Sequence, residues 1–136
     1  MIRWLFVPMV MVVLAAPSPA HAQRFEKKEG ITFSNIAPGE FVREAYKDFP
    51  VKIAMVSTSK VPYGGVYIRV FNASGVPVFK HLCEKPWLFL KLPAGEYHVV
   101  GVDRNKVTRI KYFKAPKEGK GQKAIKLKWP KDVVGY

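Results

Sequence analysis

Between positions 49 and 129 the apolar residues recur at every second position, the period of a strand with one face in a core. Val51, Ile53 and Met55 alternate with Lys52 and Ala54, and Val66, Ile68 and Val70 with Tyr67, Arg69 and Phe71. Val76, Val78 and Leu82 read as the apolar face of the next strand, with Pro77 marking an edge or a strand start. Leu88, Leu90 and Leu92 share one face, and Trp87, Phe89 and Lys91 the other. Tyr97 and Val99 then oppose Glu96 and His98. Thr108, Ile110 and Tyr112 oppose Val107, Arg109, Lys111 and Phe113, while Ile125, Leu127 and Trp129 oppose Ala124, Lys126 and Lys128.

Turn residues punctuate these segments: Pro62 with Gly64-Gly65, Asn72-Ala73-Ser74-Gly75, Pro93-Ala94-Gly95, Asp103-Arg104-Asn105, and Pro116 with Gly119 and Gly121. Seven short strands so spaced predict an all-β fold, an antiparallel seven-stranded sandwich. The Pro93-Ala94-Gly95 turn is expected to fold residues 87–92 and 97–100 into a central hairpin. Leu88, Leu90, Leu92, Tyr97, Ile125 and Leu127 are expected to be sealed between the two layers.

The chain before Phe49 reads differently. Residues 31–37 suit a short strand or an extended lead-in. Positions 38–48 predict one short helix, with Pro38 in its first turn, Phe41, Ala45 and Phe49 spaced by four, Glu40 and Glu44 early and Lys47 late. At the start, Arg3 precedes the apolar run from Trp4 to Ala16, and Ala20-His21-Ala22 has the small-x-small form of a cleavage site. That run is shorter than the roughly 20 residues a bilayer-spanning helix needs. The expected organisation is therefore a cleaved signal peptide (1–22), an N-terminal arm (23–37), a sandwich domain (38–130) and a C-terminal tail (131–136). The expected location is periplasmic or secreted.

Charge adds a partner argument. The 136-residue chain carries a formal net charge of +13. Between Arg104 and Lys131 there are 11 basic residues against one acid, Glu118. Such asymmetry bears on partners and solubility rather than on fold. If the last two strands pair or neighbour one another, Arg109, Lys111, Lys126 and Lys128 project outward together, and Lys114, Lys117, Lys120 and Lys123 extend the patch. Its ligand would be an anionic envelope lipid or polysaccharide. The competing reading is a solvated lysine face that keeps open strands from pairing. Nucleic acid is disfavoured, because the exposed aromatics are not expected to form a stacking row.

Two stretches resemble a known family. Val66-Tyr67-Ile68-Arg69-Val70-Phe71-Asn72-Ala73-Ser74-Gly75 with Val76-Pro77-Val78 is similar to the hairpin of carboxypeptidase regulatory-like domains. Pro86-Trp87-Leu88-Phe89-Leu90-Lys91-Leu92-Pro93-Ala94-Gly95-Glu96-Tyr97-His98-Val99 is similar to their Leu-Pro-Pro-Gly-x-Tyr-x-Val signature. Small exported bacterial proteins built on this one module resemble the chain over about residues 36–130. The resemblance implies a transthyretin-like (prealbumin-like) sandwich without catalysis, acting as a binding or interaction module of the envelope. The pattern departs at Glu84-Lys85-Pro86, where the family usually has Asp-Gly-Pro, so the turn before Trp87 lacks its glycine.

No catalytic set emerges. Ser34, Ser57, Ser59 and Ser74 lack a nucleophile-elbow context, and the acids are scattered. Transthyretin-like hydrolases resemble the chain only in topology, since their Tyr-Arg-Gly-Ser ending is replaced by Val133-Val134-Gly135-Tyr136. The protein is therefore expected to be no enzyme and to need no cofactor. His81, Cys83 and His98 are ligand types for a soft metal but lack recurring ligand spacing, so no metal site is assigned. Cys83, the single cysteine, reads as a small buried hydrophobe. Trp87 and Phe89 either offer an aromatic contact to a sugar or an envelope protein, or lie under the helix, where burial is worth on the order of 2 kcal/mol.

Overall fold

The computed structural model describes residues 25–58 and 62–130. The expected signal peptide and the C-terminal tail lie outside the described residues. Among the described residues there are nine strands: β1 (Glu26–Lys28), β2 (Ile31–Ile36), β3 (Val51–Ser57), β4 (Val66–Asn72), β5 (Pro77–Cys83), β6 (Trp87–Leu90), β7 (Gly95–Val102), β8 (Thr108–Ala115) and β9 (Lys123–Trp129). They form a five-stranded sheet, ordered β1-β2-β6-β3-β9, and a four-stranded sheet, ordered β5-β4-β7-β8.

The two sheets close on one core. Ile53, Met55, Leu88, Leu90, Ile125, Leu127 and Trp129 enter it from the first sheet, and Ile68, Val70, Phe79, Tyr97, Val99 and Phe113 from the second. All six side chains expected between the layers are buried there. The period-two pattern thus turns directly into sandwich packing.

Several expectations are corrected. The count is nine, because the supposed N-terminal arm supplies β1 and β2, and β2 pairs antiparallel with β6. The β2 pattern was hard to see because both its faces are covered: Ile31 and Phe33 enter the main core while Ile36 joins a second cluster. The sandwich is not wholly antiparallel, since β3 pairs parallel with β9 from Val51↔Lys123 to Ser57↔Trp129.

The Pro93-Ala94-Gly95 turn does not close a hairpin. β6 and β7 belong to different sheets, so the turn arches across the core and lets Leu90 and Tyr97 meet the same interior. Gly95 has φ +152°, a conformation that L side chains rarely adopt, and the Tyr97 hydroxyl donates to the Pro93 carbonyl at 2.7 Å. By contrast β4 and β5 do form the expected hairpin. The Asn72 side-chain oxygen accepts from the Ser74 and Val76 amides at 2.9 and 3.0 Å, and Gly75 takes φ +80°. A register shift after Val70 pairs Phe79 with Val70 and Pro77 with Phe71. Phe79 and Cys83 therefore face the core, while Val76 and Leu82, expected inside, are each 51% exposed.

The expected helix is reduced to a 3₁₀ turn (Pro38–Glu40) and one α-turn, α1 (Arg43–Tyr46). Phe41 and Val42 between them are extended, which lays the Phe41 ring on Phe89 at 5.9 Å between centroids. The segment covers the outer face of β6. Ile36, Tyr46, Phe49 and Phe89 form a second apolar cluster there, and Ser34 Oγ and the Tyr46 hydroxyl share a 3.0 Å hydrogen bond beneath it. The glycine-less turn before Trp87 is held from β2: the Asn35 side chain donates to Lys85 and Trp87 carbonyls at 2.8 Å each and accepts from the Lys85 amide at 3.2 Å.

Candidate ligand-binding surface

The expected basic face divides at a corner. β8 edges the four-stranded sheet and β9 the five-stranded one, so the two strands do not pair. Lys126 and Lys128 project from the outer face of β9, alternating with buried Ile125, Leu127 and Trp129. Arg109 and Lys111 instead share the phase of Phe113 and Ala115, which are buried. They therefore point along the open seam between the sheets rather than away from it. Arg109 Nε donates to the Lys128 carbonyl at 2.8 Å and closes that seam, half-buried. Trp129 Nε1 closes it from the other side by donating to the Val107 carbonyl at 2.9 Å.

Lys114, on the outer face of β8, Lys117 and Lys120, on the connection to β9, and Lys123, the first residue of β9, are all exposed. Among the described residues the ion pairs are Lys47–Glu44 and Lys85–Glu40, both elsewhere. The lysines from Lys111 to Lys128 thus wrap the β8–β9 corner without carboxylate partners. Lys52 lies beside this zone on β3, over the Trp87 ring at 3.6 Å from its centroid. Burial, with a smaller push from Lys126, holds its ammonium pKa below the ordinary lysine value.

The two aromatics considered as contact residues are largely consumed by the fold. Phe89 is completely buried under Tyr46, Phe49 and Phe41, so it offers no contact surface. Trp87 is half-buried, with Phe41 edge-on at 5.5 Å and Lys52 over its face.

An aromatic row that sequence reasoning missed lies on the outer face of the four-stranded sheet. Phe71 on β4, His98 on β7 and Tyr112 on β8 are direct cross-strand neighbours. The Phe71 and His98 rings stack at 4.8 Å between centroids, and the Tyr112 ring meets His98 at 4.9 Å, tilted by 35°. The Arg69 guanidinium stands 5.6 Å from the Phe71 ring centroid, and its Nε is buried without a hydrogen-bond partner. At the other end Tyr112 is 76% exposed on the edge strand. Each residue sits at an outward position of its own strand, so the signal was available in the alternation. What the sequence withheld was the register that aligns them.

Beside this row lies an open hollow of about 500 Å³, lined by Asn72, Glu96, His98, Tyr112 and Lys114 among others. Glu96 and Lys114 face one another in register across β7 and β8. Neither side chain takes part in a hydrogen bond or ion pair among the described residues.

The metal-ligand types do not converge. His81 and Cys83 lie on the core-facing side of β5, whereas His98 lies on the outer face of β7. Burial pushes the Cys83 thiol up to about 12, which keeps it protonated and unreactive. His81 takes a 3.1 Å contact from Lys28 Nζ, and burial together with that ammonium lowers its pKa.

No family model and no curated protein matches the chain.

Proposed function

We propose that this protein is a non-enzymatic, exported β-sandwich module of the prealbumin-like, carboxypeptidase regulatory-like class that binds an anionic polymer of the cell envelope. Support for the class comes from the β4–β5 hairpin with its Asn72–Gly75 turn and from the Pro93-Ala94-Gly95 arch. The observation that carries the binding reading is the run of uncompensated lysines around the β8–β9 corner. Clustered cations of this kind attract polyanions by releasing their condensed counterions, a gain that fades as salt rises.

The partner-protein reading loses ground because its aromatic contacts, Trp87 and Phe89, are occupied by intramolecular packing. Nucleic acid stays disfavoured for a new reason. Phe71 and His98 pack on each other and only Tyr112 at the end keeps an open face, so the row offers no series of platforms for successive bases.

Chromatography on immobilised heparin tests the reading. The protein is expected to stay bound above about 0.5 M salt, and a variant with Lys114, Lys117, Lys120, Lys126 and Lys128 changed to Ser to elute well below that. Equal elution of the two proteins would overturn it.

A further inference from the structure

We propose that the hollow beside Tyr112 seats a single carboxylated sugar ring, which makes the preferred polymer an acidic polysaccharide. The inference rests on the anionic-polymer reading and assigns it a specific subsite.

The volume of about 500 Å³ falls in the range of small-ligand sites. Three chemistries meet on its wall. Tyr112 ends the Phe71–His98–Tyr112 row, tilted against His98, and among the described residues no other ring or cation packs on it. Its outer face is therefore free to take the apolar C–H face of a pyranose. Lys114, two residues along the same strand, supplies one positive charge. Glu96, across from Lys114, supplies a hydrogen-bond acceptor.

The pair decides among anions. Cross-strand partners in an antiparallel sheet have Cβ atoms roughly 5 Å apart, so an ion at Lys114 also feels the Glu96 carboxylate. A phosphate or sulfate presents several charged oxygens and no donors, and Glu96 repels it. A uronic-acid ring presents one carboxylate for Lys114 and hydroxyl donors for Glu96, and so satisfies both. The stack behind Tyr112 holds its ring in place before the ligand arrives, which reduces the ordering cost of binding.

The experiment is a calorimetric titration of the full chain with oligogalacturonate, dextran sulfate and neutral dextran, repeated for Tyr112→Ala, Tyr112→Trp and Lys114→Gln. Both positions are exposed, and circular dichroism confirms that each variant is folded. Oligogalacturonate is expected to bind more tightly than dextran sulfate of equal charge. Tyr112→Ala should weaken it about tenfold, which is about 1.4 kcal/mol. Tyr112→Trp should restore it, and Lys114→Gln should weaken it without affecting neutral dextran. If both polyanions bind but Tyr112→Ala changes nothing, the subsite fails while the lysine corner stands. If neither binds, the anionic-polymer reading fails and the subsite with it.

Discussion

Gly101 and Trp129 offer a sharp test of how the two sheets are locked. A Cβ added at Gly101 on β7 would stand 2.9 Å from Trp129 Cη2, 3.0 Å from its Cζ2 and 3.2 Å from Ile68 Cδ1. The indole cannot easily yield. It is fully buried, stacked on Tyr63 at 5.7 Å and tied by Nε1 to the Val107 carbonyl. Gly101→Ala should therefore cost about 1–3 kcal/mol through overpacking. Trp129→Phe deletes the clashing end of the ring and also the donor to Val107, which should cost about 2–3 kcal/mol. In the double variant the added methyl occupies space the shorter ring vacates, so the two losses should fall short of their sum by about 1–2 kcal/mol. Urea denaturation of the four proteins measures this directly through midpoints at unchanged slope. For a domain of this size each kcal/mol also moves the melting temperature by about 4–8 °C. Strictly additive losses would show that the indole does not fill the notch above Gly101, and the packing argument would be wrong.

Three further outcomes are expected. Cys83 should resist a thiol reagent in the native protein and react only as the chain unfolds; rapid native labelling would contradict its burial. Asp103→Ala should destabilise by about 3 kcal/mol, because the buried carboxylate accepts from the Asn105 and Val107 amides and the Tyr63 hydroxyl, whereas Asn105→Ala at the exposed turn should stay within about 0.5 kcal/mol in the same urea titration. His81 faces Lys28 and the Phe33 and Phe79 rings, with Glu26 as a weaker opposing charge, and its pKa is lowered on folding. The unfolded chain therefore takes up the proton first, so stability is full above the ordinary histidine range near pH 6.5 and falls as pH drops through it towards the lower folded value. Between pH 7 and 5 the wild type should lose more stability than His81→Phe; parallel losses would remove His81 as the cause.

Much of the sandwich was legible because burial on one face imposes a period of two. Leu88, Leu90 and Leu92 or Ile125 and Leu127 admit hardly any other arrangement. The sequence was silent where local pattern meets topology. Pro93-Ala94-Gly95 carries turn chemistry that serves a hairpin or an arch equally, and only the pairing of β6 with β2 and β3 distinguishes them. The bulge opposite Phe71 reversed which residues of β5 face inward, and no residue type announces such a shift. The candidate binding surface was hidden in the same way. The lysines were plain, but whether Arg109 pointed out or closed a seam depended on which sheet β9 joined. The Phe71–His98–Tyr112 row depended on register across three strands.

The distribution of the basic residues bears on which of their two roles they fulfil. Protection of open strands calls for charge along exposed edges, and the β5 edge is blunted by Pro77 and by its bulge. At the other end of that sheet Arg109 and Lys111 do occupy the β8 edge, and Arg109 spends its guanidinium on the β9 backbone. Edge protection therefore accounts for these two. It covers Lys126 and Lys128 as well, since β9 edges the five-stranded sheet, but it does not account for Lys117 and Lys120, which lie on the connection between β8 and β9. Concentrating like charges there raises self-repulsion without shielding any unpaired backbone, a cost that a polyanion laid across the corner would offset.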